Sequence, residues 1–190
     1  AGCLAGKCEM EWEMVRTMRA ELARDVMVFS DTARGVAWLR GHLPIYTPRS
    51  FFTPGGFSTL GFAVPAAIGA KAACPDRPVV AAVGDGSFMF TCAELGTAIQ
   101  DRLPITILLF NNCAHQLIKD HQDAECGGRY IGADLVQPDF VRFAESFGAM
   151  GLRVDRLDQL RPALRQARES KVPAVVEITL PVSRPPRTPE

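Results

Sequence analysis

Apolar residues in this chain follow two alternating spacings, and the alternation predicts its elements. Short, largely apolar runs fall at residues 25–29 (DVMVF), 79–83 (VVAAV), 105–110 (ITILLF), 149–154 and 174–178 (AVVEI). Runs of this length, rich in Val, Ile and Leu, read as strands buried on both faces. Between them the apolar positions take helical spacing. Residues 9–24 carry Met10, Val15, Met18 and Leu22, and residues 138–147 carry Phe140, Phe143, Ala144 and Phe147. Further helices are predicted over 36–42, 62–73 and 157–170, and for about three turns after Gly86-Ser87. Strands alternating with helices predict an α/β fold: a doubly wound parallel sheet flanked by helices, in a single domain. Residues 44–54 (PIYTPRSFFTP) hold three prolines, which exclude a regular helix.

Residues 79–113 form the central β-α-β unit. Parallel strands end on one edge of the sheet, so Asp85, just past the first strand, converges with Asn111-Asn112, just past the second. That edge is the usual ligand crevice of open α/β sheets. A carboxylate, an amide oxygen and a backbone carbonyl are hard ligands suited to Mg²⁺ together with phosphate oxygens. Gly84 and Gly86 permit left-handed angles and close approach, and Gly86-Ser87 opens a helix whose amides favour an anion. The residue types therefore point to a metal-bridged diphosphate.

Composition limits what this unit can belong to. A chain of 190 residues, 47% hydrophobic, is one domain with a substantial core, expected over residues 9–180. Residues 1–8 read as a linker or remnant and 181–190 as an extended or disordered proline-rich tail. Formal charge is zero with no basic run, which argues against nucleic acid and anionic membranes. No apolar stretch has membrane-span length, and none reads as a signal peptide. The six cysteines contain no C-x-x-C pair, which disfavours zinc and iron–sulfur ligation and suits a reducing cytoplasm. Cys74 and Cys92 fall in helical patterns and read as core packing, as does Cys113.

Gly84-Asp85-Gly86, twenty-four intervening residues, then Asn111-Asn112 resembles the cofactor motif of thiamine-diphosphate-dependent enzymes, in the acetolactate synthase and benzoylformate decarboxylase branches. The resemblance covers residues 10–180 and corresponds to the diphosphate-binding domain, one of three in such enzymes. It implies Mg²⁺ ligation by Asp85, Asn112 and the Ala114 carbonyl. It also implies that Ser58 offers a carbonyl to the aminopyrimidine and that Leu60, 25 positions before Asp85, is the wedge that bends the cofactor. Residues 31–38 match the diphosphate loop, so Thr32, Ala33 and Arg34 join Gly84, Gly86 and Ser87 as expected cofactor contacts. Asp31 and Trp38 agree with that loop; Arg34 and Gly35 replace an amide and an imidazole. Read by itself, Asp31 is the cap of the helix over 36–42.

Beyond the asparagines, Gln116 stands for the family's glycine and Leu117 for its methionine. His115 and His121 are loop groups within reach of cofactor or substrate, and the glycine-rich 125–134 segment is expected to be mobile and to order over a ligand. The implied reaction is decarboxylation or carboligation of a small 2-oxo acid. The implied partner is a pyrimidine-binding domain, of the same or another chain, whose glutamate drives amino–imino exchange. No glutamate here has that context, and Glu94 reads as structural or interfacial. The small-residue helix over 62–73 suits packing on a sheet or on another copy, and a homo-oligomer is expected. The chain is then a piece of a longer enzyme or one subunit of a split decarboxylase. A non-catalytic cofactor-binding module is the rival class. Absent cysteine pairs disfavour a ferredoxin-linked oxidoreductase subunit, and a nicotinamide domain lacks its G-x-G-x-x-G.

Overall fold

The computed structural model describes residues 8–181. The elements in order are α1 (Glu9–Glu21), β1 (Met27–Ser30), α2 (Arg34–His42), β2 (Phe51–Phe52), α3 (Ala63–Ala73), β3 (Val79–Gly84), α4 (Asp85–Phe88), α5 (Glu94–Gln100), β4 (Thr106–Phe110), α6 (Gln116–Cys126), α7 (Phe140–Ser146), β5 (Met150–Val154), α8 (Leu157–Glu169) and β6 (Ala174–Ile178). All strand pairs are parallel, in the order β2-β1-β3-β4-β6-β5. Helices cover both faces, so the expected doubly wound architecture is the one observed. No helix among the described residues is long and apolar enough to cross a membrane.

Side-chain alternation on β3 explains why both faces are covered. Val80 and Ala82 enter one core with α1, α2 and α8, while Val79, Ala81 and Val83 enter the other with α3, α5 and α7. Alanines at 81 and 82 keep the strand narrow and let the flanking helices approach. Helix α8 shows the sorting on the helical side: Leu160, Ala163, Leu164 and Ala167 are buried and its arginines lie outside. On the opposite face, α3 buries Ala63, Val64, Ala67, Ile68 and Lys71 and leaves Pro65 and Gly69 exposed.

From β1 the chain runs outward to β2, then returns across to β3 and continues in the other direction to β4. This reversal opens a crevice at the carboxyl ends of β1 and β3. The register sets Gly84 beside Phe110, so Asp85 and Asn111 leave neighbouring strands at the same level.

Four expectations differ in detail. A sixth strand, β2, forms at Phe51–Phe52 in the proline-rich stretch; two residues have no period of their own and are ordered by pairing with β1. The helix expected after Ser87 is two helices, α4 and α5, joined by three-residue turns. It breaks because Phe88 is drawn into the core between Phe140 and Phe143, while the Thr91 hydroxyl donates to the Gly61 carbonyl at 3.3 Å. Residues 116–126 are helical, which places His121 on α6 and not in a loop. Cys74, at the C-cap of α3, and Cys92, in the turn before α5, pack against the core, whereas Cys113 is exposed and so is not a packing residue. The expected linker and tail lie outside the described residues, apart from Cys8, which is buried in the core, and Pro181.

Candidate functional site

The turn after β1 supplies the first wall. Asp31 is fully buried and does not cap its own helix: α2 is preceded by Ala33 with no side-chain cap. Its carboxylate instead accepts from the Gly61 and Phe62 amides (3.2 and 3.1 Å) at the start of α3, and from the Ser87 hydroxyl (2.7 Å). Ser87 Oγ in turn accepts from the Gly61 amide at 3.0 Å. The three turns after β1, before α3 and after β3 are thereby tied at one point. Burial pushes the Asp31 carboxyl up from its ordinary value, and these donors hold it partly down.

The turn after β3 forms the floor. Gly84 has extended backbone (φ −82°) and Gly86 is not among the positive-φ glycines, so neither is required for left-handed geometry. Close approach is the reason for both. A Cβ at Gly84 would lie 2.7 Å from that of Ala33, and one at Gly86 would lie 2.5 Å from the His115 ring. Asp85 is 2% exposed. Burial raises its pKa, while the Gly86 amide, the Gln137 side chain and the Cys113 and Ala114 amides act to lower it. Gln137 Nε2 donates to Asp85 Oδ2 at 3.2 Å, a contact no local pattern announces.

The third wall follows β4. Cys113 takes a left-handed conformation (φ 52°), and Ala114 is buried and bridges to Asp134. Asn112 donates its amide nitrogen to Gln116 Oε1 at 3.2 Å, which turns its nitrogen away and leaves its carbonyl oxygen for another partner. Across the opening, Arg34 pairs with Asp120 of α6 at 2.9 Å, and Asp120 also accepts from Gln116. Side chains tie the glycine-rich segment to α6. Lys119 pairs with Asp134, Tyr130 donates to Asp123, and Gln122 bonds the Ile131 amide and carbonyl.

These walls enclose a mainly apolar cavity of about 260 Å³. It is lined by Thr32, Ala33, Arg34, Leu60, Gly84, Asp85, Gly86, Ser87, Asn112 and Ala114, ten of the eleven residues singled out from the sequence. His115, Gln116 and Leu117 line it as well, with Phe110, Ile178 and Leu180 among the apolar groups that the sequence did not flag. Ser58 is exposed outside the lining, in a left-handed turn two residues before Leu60. His121 and Glu94 lie outside it too, and Glu94 accepts from Thr97 on its own helix.

The donor chemistry suits an anion and a hard cation. Thr32 Oγ1 and Arg34 Nε are buried without a partner on the turn facing the cavity, as two donors awaiting an acceptor-rich group would be. Opposite them stand a buried carboxylate, an amide oxygen and the Ala114 carbonyl. No group of three or more His, Cys, Asp or Glu that could hold a metal exists among the described residues. A cation here would be held by this mixed oxygen set completed by ligand oxygens, as Mg²⁺ commonly is. Mg²⁺ and a diphosphate therefore fit the residues present.

The sequence profile of the thiamine pyrophosphate enzyme C-terminal TPP-binding domain matches residues 31–178. The acetolactate synthase large subunit of Corynebacterium glutamicum is 35% identical over 161 residues, 82% of this chain and 26% of that protein. The acetolactate synthase of Bacillus subtilis is 33% identical over 171 residues, 90% of this chain and 30% of that protein. Among solved structures, a thiamine diphosphate-dependent 4-hydroxybenzoylformate decarboxylase of Rhodococcus jostii RHA1 superposes with a TM-score of 0.84 at 25% identity, over 91% of this chain and 33% of that one. The chain thus spans about a quarter to a third of the relatives it matches. It belongs to the thiamine pyrophosphate enzyme family, as its C-terminal TPP-binding domain.

Proposed function

We propose that this member of the family forms the diphosphate- and Mg²⁺-binding half of the active site in a cytoplasmic, acetolactate-synthase-like decarboxylase or carboligase of small 2-oxo acids. A pyrimidine-binding domain, from the same or a partner chain of a homo-oligomer, completes the site. The observation that carries this reading is the convergence on one cavity of Asp85, Asn112 and Ala114 with the 32–34 turn and Leu60.

When bound, thiamine diphosphate supplies a carbon nucleophile that adds to a 2-oxo acid carbonyl and takes up the electrons left as carbon dioxide departs. The chain's own residues hold and orient. Asp85, the Asn112 side-chain oxygen and the Ala114 carbonyl are the metal ligands, and the 32–34 and 84–87 turns hold the diphosphate. Thr32 and Arg34 offer their unpartnered donors there. Leu60 is the wedge, held in place because the neighbouring Gly61 amide is clamped by Asp31 and Ser87. Ser58, exposed two residues before Leu60, offers its carbonyl to the aminopyrimidine. Apolar Leu117, Ile118, Ile178 and Leu180 limit water around the site. The proton-handling glutamate belongs to the pyrimidine-binding domain, so this chain alone has no turnover.

The test is Asp85→Ala in the whole assembled enzyme, with thiamine diphosphate binding followed by calorimetry with and without Mg²⁺. Loss of Mg²⁺-dependent binding in a well-folded variant is expected. Unchanged affinity would remove the metal assignment. Retained binding in the parent without turnover on any 2-oxo acid would favour a non-catalytic binding module.

A further inference from the structure

Glu177 is the charged residue of an otherwise apolar strand, β6, every position of which is buried. It lies in register between Leu109 of β4 and Arg153 of β5, and its side chain is 3% exposed. An ion pair joining β5 to β6 would account for one carboxylate oxygen: Oε2 accepts from Arg153 Nε at 2.9 Å. The other is aimed elsewhere. Oε1 accepts from Asn111 Nδ2 at 2.7 Å, at the edge of the cavity.

An ionised carboxylate only accepts hydrogen bonds, so it dictates which way the Asn111 amide faces. With its nitrogen held by Glu177, Asn111 turns its oxygen to the Cys113 amide at 3.1 Å and to the Cys113 thiol at 3.5 Å. Cys113 is the left-handed residue of this turn, a conformation that is strained for a non-glycine residue. Such a backbone persists where its surroundings over-determine it. Asn112 and Ala114 flank it on either side, and the Cys113 and Ala114 amides both bear on Asp85. Asn111 is fixed from behind as well, its backbone amide donating to the Ile178 carbonyl at 2.9 Å. The chain of contacts runs from Glu177 through Asn111 to the turn that carries two of the three proposed metal ligands.

We propose that Glu177 and Asn111 are positioning residues for the metal site: Glu177 orients the Asn111 amide, and Asn111 holds the strained turn that presents the Asn112 side chain and the Ala114 carbonyl. The proposal rests on the metal reading given above. Residues that orient a metal's ligands commonly contribute tenfold or more in affinity.

The experiment measures Mn²⁺ affinity by electron paramagnetic resonance in the whole enzyme with thiamine diphosphate present. The variants are Asn111→Ala, Glu177→Ala and the double variant, each with its thermal midpoint recorded. Each single change is expected to weaken Mn²⁺ binding about tenfold. The double variant is expected to be no weaker than the worse single one, because both remove the same link. A folded Asn111→Ala enzyme with parental Mn²⁺ affinity overturns the proposal, as does a double variant whose losses multiply. Should Glu177→Ala fail to fold, Asn111→Ala alone still decides. Asp85→Ala separates the two levels. If it abolishes Mn²⁺ binding while Asn111→Ala changes nothing, only this inference fails; if it too changes nothing, the metal reading has failed.

Discussion

The two walls of the cavity are built by opposite means. On the β3–α4 side every residue from Val79 to Phe88 is buried, and the turn that carries Asp85 is wedged against Ala33, His115 and Leu135. On the facing side α6 buries no residue at all and is attached through polar ties, Arg34 to Asp120 and Lys119 to Asp134. A wall that must hold a carboxylate out of water gains its rigidity from core packing, which tolerates little change. A wall tied by partly solvated charges can vary more cheaply. Of the four positions read as departures from the resembled pattern, Gln116 and Leu117 lie at the start of α6, and Arg34 and Gly35 at the start of α2.

Gly84→Ala should break the comparison on its rigid side. The added methyl meets Ala33 at 2.7 Å with no flexible side chain to yield. Overpacking of this kind costs about 1–3 kcal/mol. Urea unfolding should show that loss, and wild-type stability would mean that the β1 turn moves freely.

Asp85→Asn should sharpen it through pH. The raised carboxyl of Asp85 means that the folded chain holds this proton more tightly than the unfolded chain. Its stabilising contribution is therefore complete below the ordinary carboxylate range and is lost as pH rises through the folded value. Removing the charge should raise the melting temperature of the metal-free protein by a few degrees near neutral pH, and hardly at all at about pH 3. Asp31, raised for the same reason, keeps part of the slope in the variant. A lower melting temperature near neutral pH would show that the Asp85 hydrogen bonds outweigh its burial.

The smallest effect belongs to the adaptable wall. Lys119→Ala removes an ion pair whose Asp134 partner is mostly exposed. It should change stability by less than about 0.5 kcal/mol. A loss comparable to that of Gly84→Ala would erase the distinction between the walls.

Legibility followed the same division. Strands β3 and β4 were plain in the sequence because a strand buried on both faces must be continuously apolar, and Asp85 and Asn112 follow them directly. Strand β2 was hidden because pairing, not composition, orders Phe51–Phe52. The break after Phe88 was hidden because it depends on Phe140 and Gly61. Asp31 read as a cap for the helix that follows it, yet it caps one that begins about thirty residues later.

By itself, then, the sequence determined the layered parallel sheet and the edge on which the chemistry collects, because burial periodicity and strand-end turns are local properties, while Leu60, Ala114 and the 32–34 turn came from the family resemblance. Tertiary structure alone decided what holds those residues. Gln137 reaches Asp85 across 52 positions, Glu177 reaches Asn111 across 66, and Asp31 reaches Ser87 across 56. A buried carboxylate must find its donors wherever the packed chain brings them, and the spacing of residues along the sequence carries no record of that meeting.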